Sequence, residues 1–167
     1  MYNTLILLGG NFPKTPQLFA KAKGLIASSF GSIIQYSSVY KSRAWGFVAK
    51  QDFLNQVIEV ATPLKPEEQI KALLQIEKQL GRKRKTTDGY SSRSIDIDIL
   101  FIDDLIIETA QLTVPHPRLH LRRFTLAPLC EHWSDKIHPK TEKSLNTLLS
   151  ECTDKGTVAK TAYNLEP

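Results

Sequence analysis

The stretch Ile95-Asp96-Ile97-Asp98-Ile99-Leu100-Phe101-Ile102 is the most decisive run in the chain. Its density of β-branched residues and its length predict a strand. Side chains alternate across a strand, so Ile95, Ile97 and Ile99 share one face while Asp96 and Asp98 share the other. Two carboxylates about 6.5–7 Å apart on one face repel each other unless a cation lies between them. Their hard oxygens suit Mg²⁺, which takes one or two carboxylates together with phosphate oxygens. Such a pair can bridge two ions about 3.5–4 Å apart. An isolated D-x-D reads equally well as scattered charge on an exposed strand face, and the basic stretches nearby favour the metal.

Working outward from this strand, Asn3–Leu8 reads as a buried strand that ends at Gly9-Gly10-Asn11. Thr15-Pro16 offers an N-cap and a first-turn proline for a helix running to about Ser29, closed by Gly31. Ile33–Tyr40 and Phe53–Ala61 read as strands, with a long polar loop, Lys41–Asp52, between them. Pro66-Glu67-Glu68 opens a second helix that stops at Gly81. Asp103-Asp104 forms a tight turn into Leu105-Ile106-Ile107, and Pro115-His116-Pro117 forms a rigid corner. Phe124–His132 and Lys143–Leu149 read as further helices, and the last ~15 residues as a loose tail. The order β-α-β-β-α-β predicts an α+β, ferredoxin-like core with an antiparallel sheet and additional C-terminal helices. One domain is expected over residues 1–167.

Composition narrows the class. The chain is 41% hydrophobic and 23% charged, which excludes wholesale disorder and fibrous repeats. Apolar runs such as Leu5–Leu8 fall far short of the ~18 residues that span a bilayer. No basic leader precedes Leu5, and Cys130 and Cys152 are too few for a disulfide framework, so a cytoplasmic setting is expected. The net charge of +5 is concentrated: without Arg82, Lys83, Arg84, Lys85, Arg93, Arg118, Arg122 and Arg123, 14 basic groups face 17 acidic ones. Localised basicity suits a compact polyanion such as a nucleoside triphosphate.

Several residues stand out against this background. Glu77 shares the apolar face of its helix with Leu73 and Leu74, so it needs a buried partner; a surface ion pair with Arg84 fits the spacing equally well. Arg82, Arg84, Arg93 and Arg122 are candidate phosphate clamps, because guanidinium forks match phosphate oxygens. His116, held between two prolines, is a candidate hydrogen-bond donor to a phosphate. The run Gly9-Gly10-Asn11-Phe12-Pro13-Lys14-Thr15 echoes a P-loop, but Pro13 removes an N–H where the cradle needs a glycine.

Taken together, these motifs resemble the 6-hydroxymethyl-7,8-dihydropterin pyrophosphokinase family of folate biosynthesis. The resemblance is carried by Leu8-Gly9-Gly10-Asn11, Ser37-Ser38-Val39-Tyr40, Trp45-Gly46, Asp52-Phe53-Leu54-Asn55 and Ile76-Glu77. It continues through Leu80–Arg84, Arg93–Leu100, Leu112–Pro117, Arg122, Phe124 and Pro128-Leu129. It implies that a pterin hydroxymethyl oxygen attacks the β-phosphorus of MgATP and that AMP leaves. It implies that Asp96 and Asp98 hold two Mg²⁺ ions and that Arg82 and Arg93 take part in the transfer. Glu77, Arg84, Arg93, His116 and Arg122 would meet the nucleotide. Asn55 would pair with the pterin edge, Phe53 and Phe124 would sandwich its ring, and the backbone of Ser42, Ala44 and Trp45 would meet it. Loops corresponding to Gly46–Gln51 and Lys83–Ser92 would close over the ligands. Gly10, Ser42, Ala44 and Ser92 depart from the family's usual residues, without loss of a charged or metal-binding group.

Two other classes fit parts of this pattern. A ferredoxin-like RNA-binding domain would suit the isoelectric point near 9.2. It would carry an aromatic RNP1-type strand, which is missing here, and Asp96 and Asp98 would repel its phosphates. An inactive relative serving as an interaction module would not need Asn55, both aspartates and the arginines. The expected partners are therefore ATP and a pterin, with no nucleic acid and no membrane, and a monomer is expected.

Overall fold

The computed structural model describes residues 1–46, 51–82 and 94–163. Strand β1 (Tyr2–Gly10) lies at the centre of the main sheet, antiparallel to β4 (Phe53–Thr62) on one side and β5 (Asp96–Ile102) on the other. Helix α1 (Thr15–Ser29) connects β1 to β2 (Ser32–Tyr36), and β3 (Tyr40–Ser42) precedes β4. Helix α2 (Pro66–Gln79) connects β4 to β5. The spatial order is β5-β1-β4, with β2 and β3 both on the outer edge of β4, which is the ferredoxin-like arrangement.

Both faces of β1 are buried, which explains its unbroken apolar run. Ile6 and Leu8 pack with Phe19 and Ile26 of α1 and Leu73 and Ile76 of α2. Leu5 and Leu7 pack instead with Leu119, Leu126 and Leu145 from the C-terminal elements. Truncating any of these to alanine should cost about 2–5 kcal/mol. Helix α2 is capped where the Glu68 carboxylate accepts the Lys65 N–H at 2.7 Å, and it is tied to the sheet where the Thr4 hydroxyl donates to Gln69 Oε1 at 2.8 Å. Gly81 has φ +83°, the left-handed conformation expected of a helix stop.

The C-terminal third follows as β6 (Ile107–Glu108), β7 (Thr113–Val114), a 3-10 turn Leu119–Leu121 and α3 (Arg123–Leu129). Then come β8 (Ile137–His138), β9 (Lys143–Ser144), α4 (Leu145–Glu151) and β10 (Val158–Lys160).

Four expectations are corrected. Ile33–Tyr40 is not one strand: β2 and β3 are separated where Ser37 turns inward. Its N–H donates to Val57 O, its hydroxyl accepts Val57 N–H, and its carbonyl accepts Gln56 Nε2. The register on β4 slips by one across this break, from Tyr36↔Ile58 to Tyr40↔Asn55. The turn at Asp103-Asp104 is present, closed by the Leu105 N–H on Ile102 O at 3.0 Å, and beyond it Ile107–Glu108 pairs with Thr113–Val114. Thr15 is the first residue of α1 rather than its cap, and its hydroxyl accepts Phe12 N–H. The C-terminal helices are shorter and displaced: α3 ends at Leu129, and Lys143–Ser144 pairs with β8 before α4 begins. The tail is not loose along its length, because Val158–Lys160 pairs with β3 and extends the sheet.

Candidate active site

The face of the sheet that packs α3 and α4 changes character toward one end. Leu7, Val57 and Leu100 belong to its core, Asp98 on β5 stands level with Leu7, and one pleat further along stand Gly9, Asn55 and Asp96. Gly9 is the register partner of Asn55 on β4 and of Asp96 on β5. Direct partners in antiparallel strands point to the same face. A Cβ on Gly9 would lie 3.6 Å from Asn55 Oδ1 and 4.0 Å from Asp96 Cβ. The glycine therefore leaves open the space between an amide and a carboxylate.

On the β5 side, Arg82 joins two carboxylates. Its Nη1 donates to Asp96 Oδ1 at 2.6 Å and also to Glu77 Oε1. Glu77 is 3% exposed, and the same Oε1 accepts the Ile97 N–H at 2.8 Å. Of the two readings of Glu77, the buried one holds, with Arg82 as the partner. Burial raises the Glu77 pKa, against the lowering effects of Arg82 and the Ile97 N–H. Asp98 is pushed up to about 7, first by burial and then by the charge of Asp96, with Arg122 opposing.

Two carboxylates on one face of a strand, two residues apart, form a donor set suited to a hard divalent cation. Among the described residues, no group of three or more His, Cys, Asp or Glu side chains is gathered to hold a metal. An ion here would therefore complete its shell with water and phosphate oxygens, as Mg²⁺ does.

On the β4 side, Asn55 is 2% exposed and donates from Nδ2 to Ser42 Oγ at 3.0 Å. That bond fixes which way the amide faces, so it presents Oδ1 toward Gly9. Phe53 is two residues from Asn55 and shares its face. Ser42 is the register partner of Phe53, and Ala44 and Trp45 follow on the chain.

The roof comes from the C-terminal third. Leu100 is the extra residue at a bulge in β5, since the register on β1 jumps from Ile99 to Phe101. Its freed carbonyl accepts the His116 N–H at 2.9 Å, which docks the Pro115-His116-Pro117 corner on β5. His116 Nδ1 accepts the Arg118 N–H at 3.2 Å, which leaves the proton on Nε2. Burial, then Arg122 and Arg118, push His116 down to about 4, so it is neutral near pH 7. Arg122 is buried, with its guanidinium 5.0 Å from the Trp45 ring centroid and 5.6 Å from that of Phe124.

Asp96, Asp98, Arg82 and Glu77 are thus brought together, as are Asn55 with Ser42 and Arg122 with Trp45 and Phe124. Arg84 and Arg93, and most of the two loops expected to close, lie outside the described residues. Sequence reasoning missed the role of Gly9 and the bulge at Leu100. Neither has a local signal, since each depends on the partner strand.

The family model for 7,8-dihydro-6-hydroxymethylpterin-pyrophosphokinase (HPPK) matches residues 5–134. The Aquifex aeolicus 2-amino-4-hydroxy-6-hydroxymethyldihydropteridine pyrophosphokinase is 42% identical over 124 residues, covering 74% of this chain and 76% of that protein. The Haemophilus influenzae enzyme of the same name is 35% identical over 144 residues, 85% of this chain and 88% of that one. Among solved structures, wild-type Plasmodium falciparum HPPK-DHPS with pteroate superposes with a TM-score of 0.73 at 15% identity. It matches 90% of this chain, which spans only 44% of that longer protein, so the likeness is one of fold.

Proposed function

The chain belongs to the 7,8-dihydro-6-hydroxymethylpterin-pyrophosphokinase family: it transfers pyrophosphate from ATP to the hydroxymethyl group of 6-hydroxymethyl-7,8-dihydropterin in folate biosynthesis, and we propose how its residues divide that work. The register Asn55–Gly9–Asp96 carries the proposal. Strands lie about 4.8 Å apart, so the backbones of Asn55 and Asp96 stand roughly 10 Å apart across a glycine. A pterin held at Asn55 extends its hydroxymethyl group over Gly9 toward a triphosphate held at the aspartates.

Asn55, oriented by Ser42, reads the donor and acceptor edge of the heterocycle. Phe53 and Phe124 supply ring faces, and the backbone at Ser42, Ala44 and Trp45 lines the edge. Asp96 and Asp98 would hold two Mg²⁺ ions, which would supply charge neutralisation of the triphosphate and activation of the attacking hydroxyl. His116 donates from Nε2 to a phosphate oxygen while remaining uncharged. Arg122 adds a fixed positive charge, and Arg84 and Arg93 complete the nucleotide contacts.

Glu77 acts at the border of the nucleotide half by holding Arg82. Arg82 balances the Asp96 charge and stands where it can also meet the charge of the transferring group. The new bond joins the hydroxymethyl oxygen to the β-phosphorus while that oxygen gives its proton to water, the bond from that phosphorus to the α-phosphate oxygen breaks, and AMP leaves with the electron pair. Positioning and charge stabilisation suffice for such a transfer, without a covalent enzyme intermediate.

No helix among the described residues is long and apolar enough to cross a membrane. The free Cys130 and Cys152 fit the reducing cytoplasm we assign, and a monomer holds every residue named. The test is incubation of the protein with MgATP and 6-hydroxymethyl-7,8-dihydropterin. AMP should form in proportion to pterin consumed, and Asn55→Ala should raise the pterin KM with little effect on ATP. Formation of ADP, or AMP release independent of pterin, would overturn the reading.

A further inference from the structure

The residues after 134 lie beyond the stretch matched by the family model, yet part of this segment touches both walls of the pterin half. One wall is the start of α3, where Arg122 and Phe124 flank Arg123. The Arg123 N–H donates to Asp154 Oδ2 at 3.0 Å. The other oxygen of Asp154 accepts the Gly156 N–H at 2.9 Å, which turns the chain toward the sheet. The second wall is β3. Val158 is the register partner of Ser42, and Lys160 that of Tyr40. Ser42 is the hydroxyl that orients the Asn55 amide.

The strand is fastened beyond its own ladder. Thr161 donates twice to Val39 O, from N and from Oγ1, each at 2.9 Å. Lys160 Nζ donates to Glu131 Oε1 at 2.9 Å. The Glu131 carboxylate also accepts Ser38 N–H at 3.0 Å and Ser38 Oγ–H at 2.8 Å, and it is hydrogen-bonded to Tyr40. One acid therefore links the end of α3, the entry to β3 and the C-terminal strand. Side chains on a three-residue edge strand such as β3 are held precisely only if both of its edges are paired.

We propose that the segment Asp154–Thr161 is a positioning element of the pterin half, acting through the Arg123 N–H on α3 and through β3 on Ser42 and Asn55. The inference rests on Asn55 and Phe124 being the pterin contacts. The hydrogen bonds just described run to α3 and β3 rather than to α2, β5 or the His116 corner, so the two substrates should respond differently to the segment's loss.

The test compares the full chain with Asp154→Ala, Asp154→Asn, Lys160→Ala and a truncation after Gly156. The pterin Kd and the Kd for a non-hydrolysable ATP analogue with Mg²⁺ are titrated separately, together with the thermal unfolding midpoint. Asp154→Ala and the truncation should each weaken pterin binding by about tenfold, the scale of one lost positioned hydrogen bond. Nucleotide affinity should stay within about twofold. Asp154→Asn, which keeps an acceptor, should restore most of the pterin affinity. Parallel loss of both affinities, or no loss of pterin affinity in either Asp154→Ala or the truncation, would overturn the proposal. Asn55→Ala and Phe124→Ala in the full chain serve as reference. If they leave pterin binding intact, the assignment of the pterin site itself has failed, and if they alone weaken it, the positioning role has failed. Should the truncated chain not fold, Asp154→Ala and Lys160→Ala decide by the same criteria.

Discussion

Asn55 and Asp96 are both register partners of Gly9, one on each neighbouring strand. The amide and the carboxylate therefore sit level on one face with no side chain between them. On the residue roles proposed above, the reaction geometry would follow from this more than from any single charged group. The relationship is also rigid, because all three residues lie on paired strands rather than on loops.

Gly9→Val should abolish most turnover while leaving the fold intact. An added Cβ meets only ordinary contacts, at 3.6 and 4.0 Å, so a side chain is tolerated by the sheet but intrudes between the substrates. A displacement of about 1 Å at the reacting groups costs on the order of a hundredfold. Gly9→Ala should lose less than Gly9→Val. Turnover measured alongside thermal unfolding separates the two effects, and equal turnover in Gly9→Val and wild type would refute the role.

Asp96→Asn and Asp98→Asn should each reduce turnover by about 10²–10⁴-fold, the scale of several kcal/mol of metal-borne charge stabilisation. Titration with Mg²⁺ in the presence of the ATP analogue should show weakened metal binding in both variants. Full activity at saturating Mg²⁺ in either folded variant would exclude that aspartate as a ligand.

Arg82→Ala should increase the affinity of the nucleotide-free protein for Mg²⁺, because the guanidinium at 2.6 Å from Asp96 competes with the metal. Turnover should nevertheless fall more than ATP affinity does. Loss of the Glu77 partner should destabilise the fold by about 1–3 kcal/mol, between the exposed and the fully buried limits. Calorimetric titration with Mg²⁺ alone reads the first effect, and unchanged affinity would count against the competition.

Phe124→Ala should weaken pterin binding by about 1–3 kcal/mol, the scale of one lost stacking partner. Nucleotide affinity should change little. Equal losses for both ligands would identify Phe124 as a core residue only.

His116 should make stability depend on pH. Its folded pKa of about 4 lies below the ordinary histidine value of 6.5, so between these values the unfolded chain binds the extra proton. Stability is therefore fully present above pH 6.5 and is lost progressively as the pH falls toward 4. Denaturant unfolding of wild type and His116→Gln across pH 4–8 should show a flatter dependence in the variant. Parallel curves would mean that His116 is protonated as readily in the folded state as in the unfolded one.

Much of this protein was legible in one dimension. The alternation in Ile95–Ile102 identified a strand with an acidic face, and helix and strand periods along the chain were enough for the order β-α-β-β-α-β. Those signals are local, because burial of one face imposes a period on the residues that share it. The position of Glu77 on an apolar helix face left a buried carboxylate and a surface ion pair equally open, and only its burial against Arg82 and the Ile97 N–H decided between them. What only the tertiary structure decided are relations between distant residues. The break at Ser37 depends on Val57 and Gln56, the bulge at Leu100 on where Pro115-His116-Pro117 docks, and the ordering of Val158–Lys160 on the open edge of β3. The same holds for Gly9 between Asn55 and Asp96, since register is set by how three strands pack together, and no one of them carries that information alone.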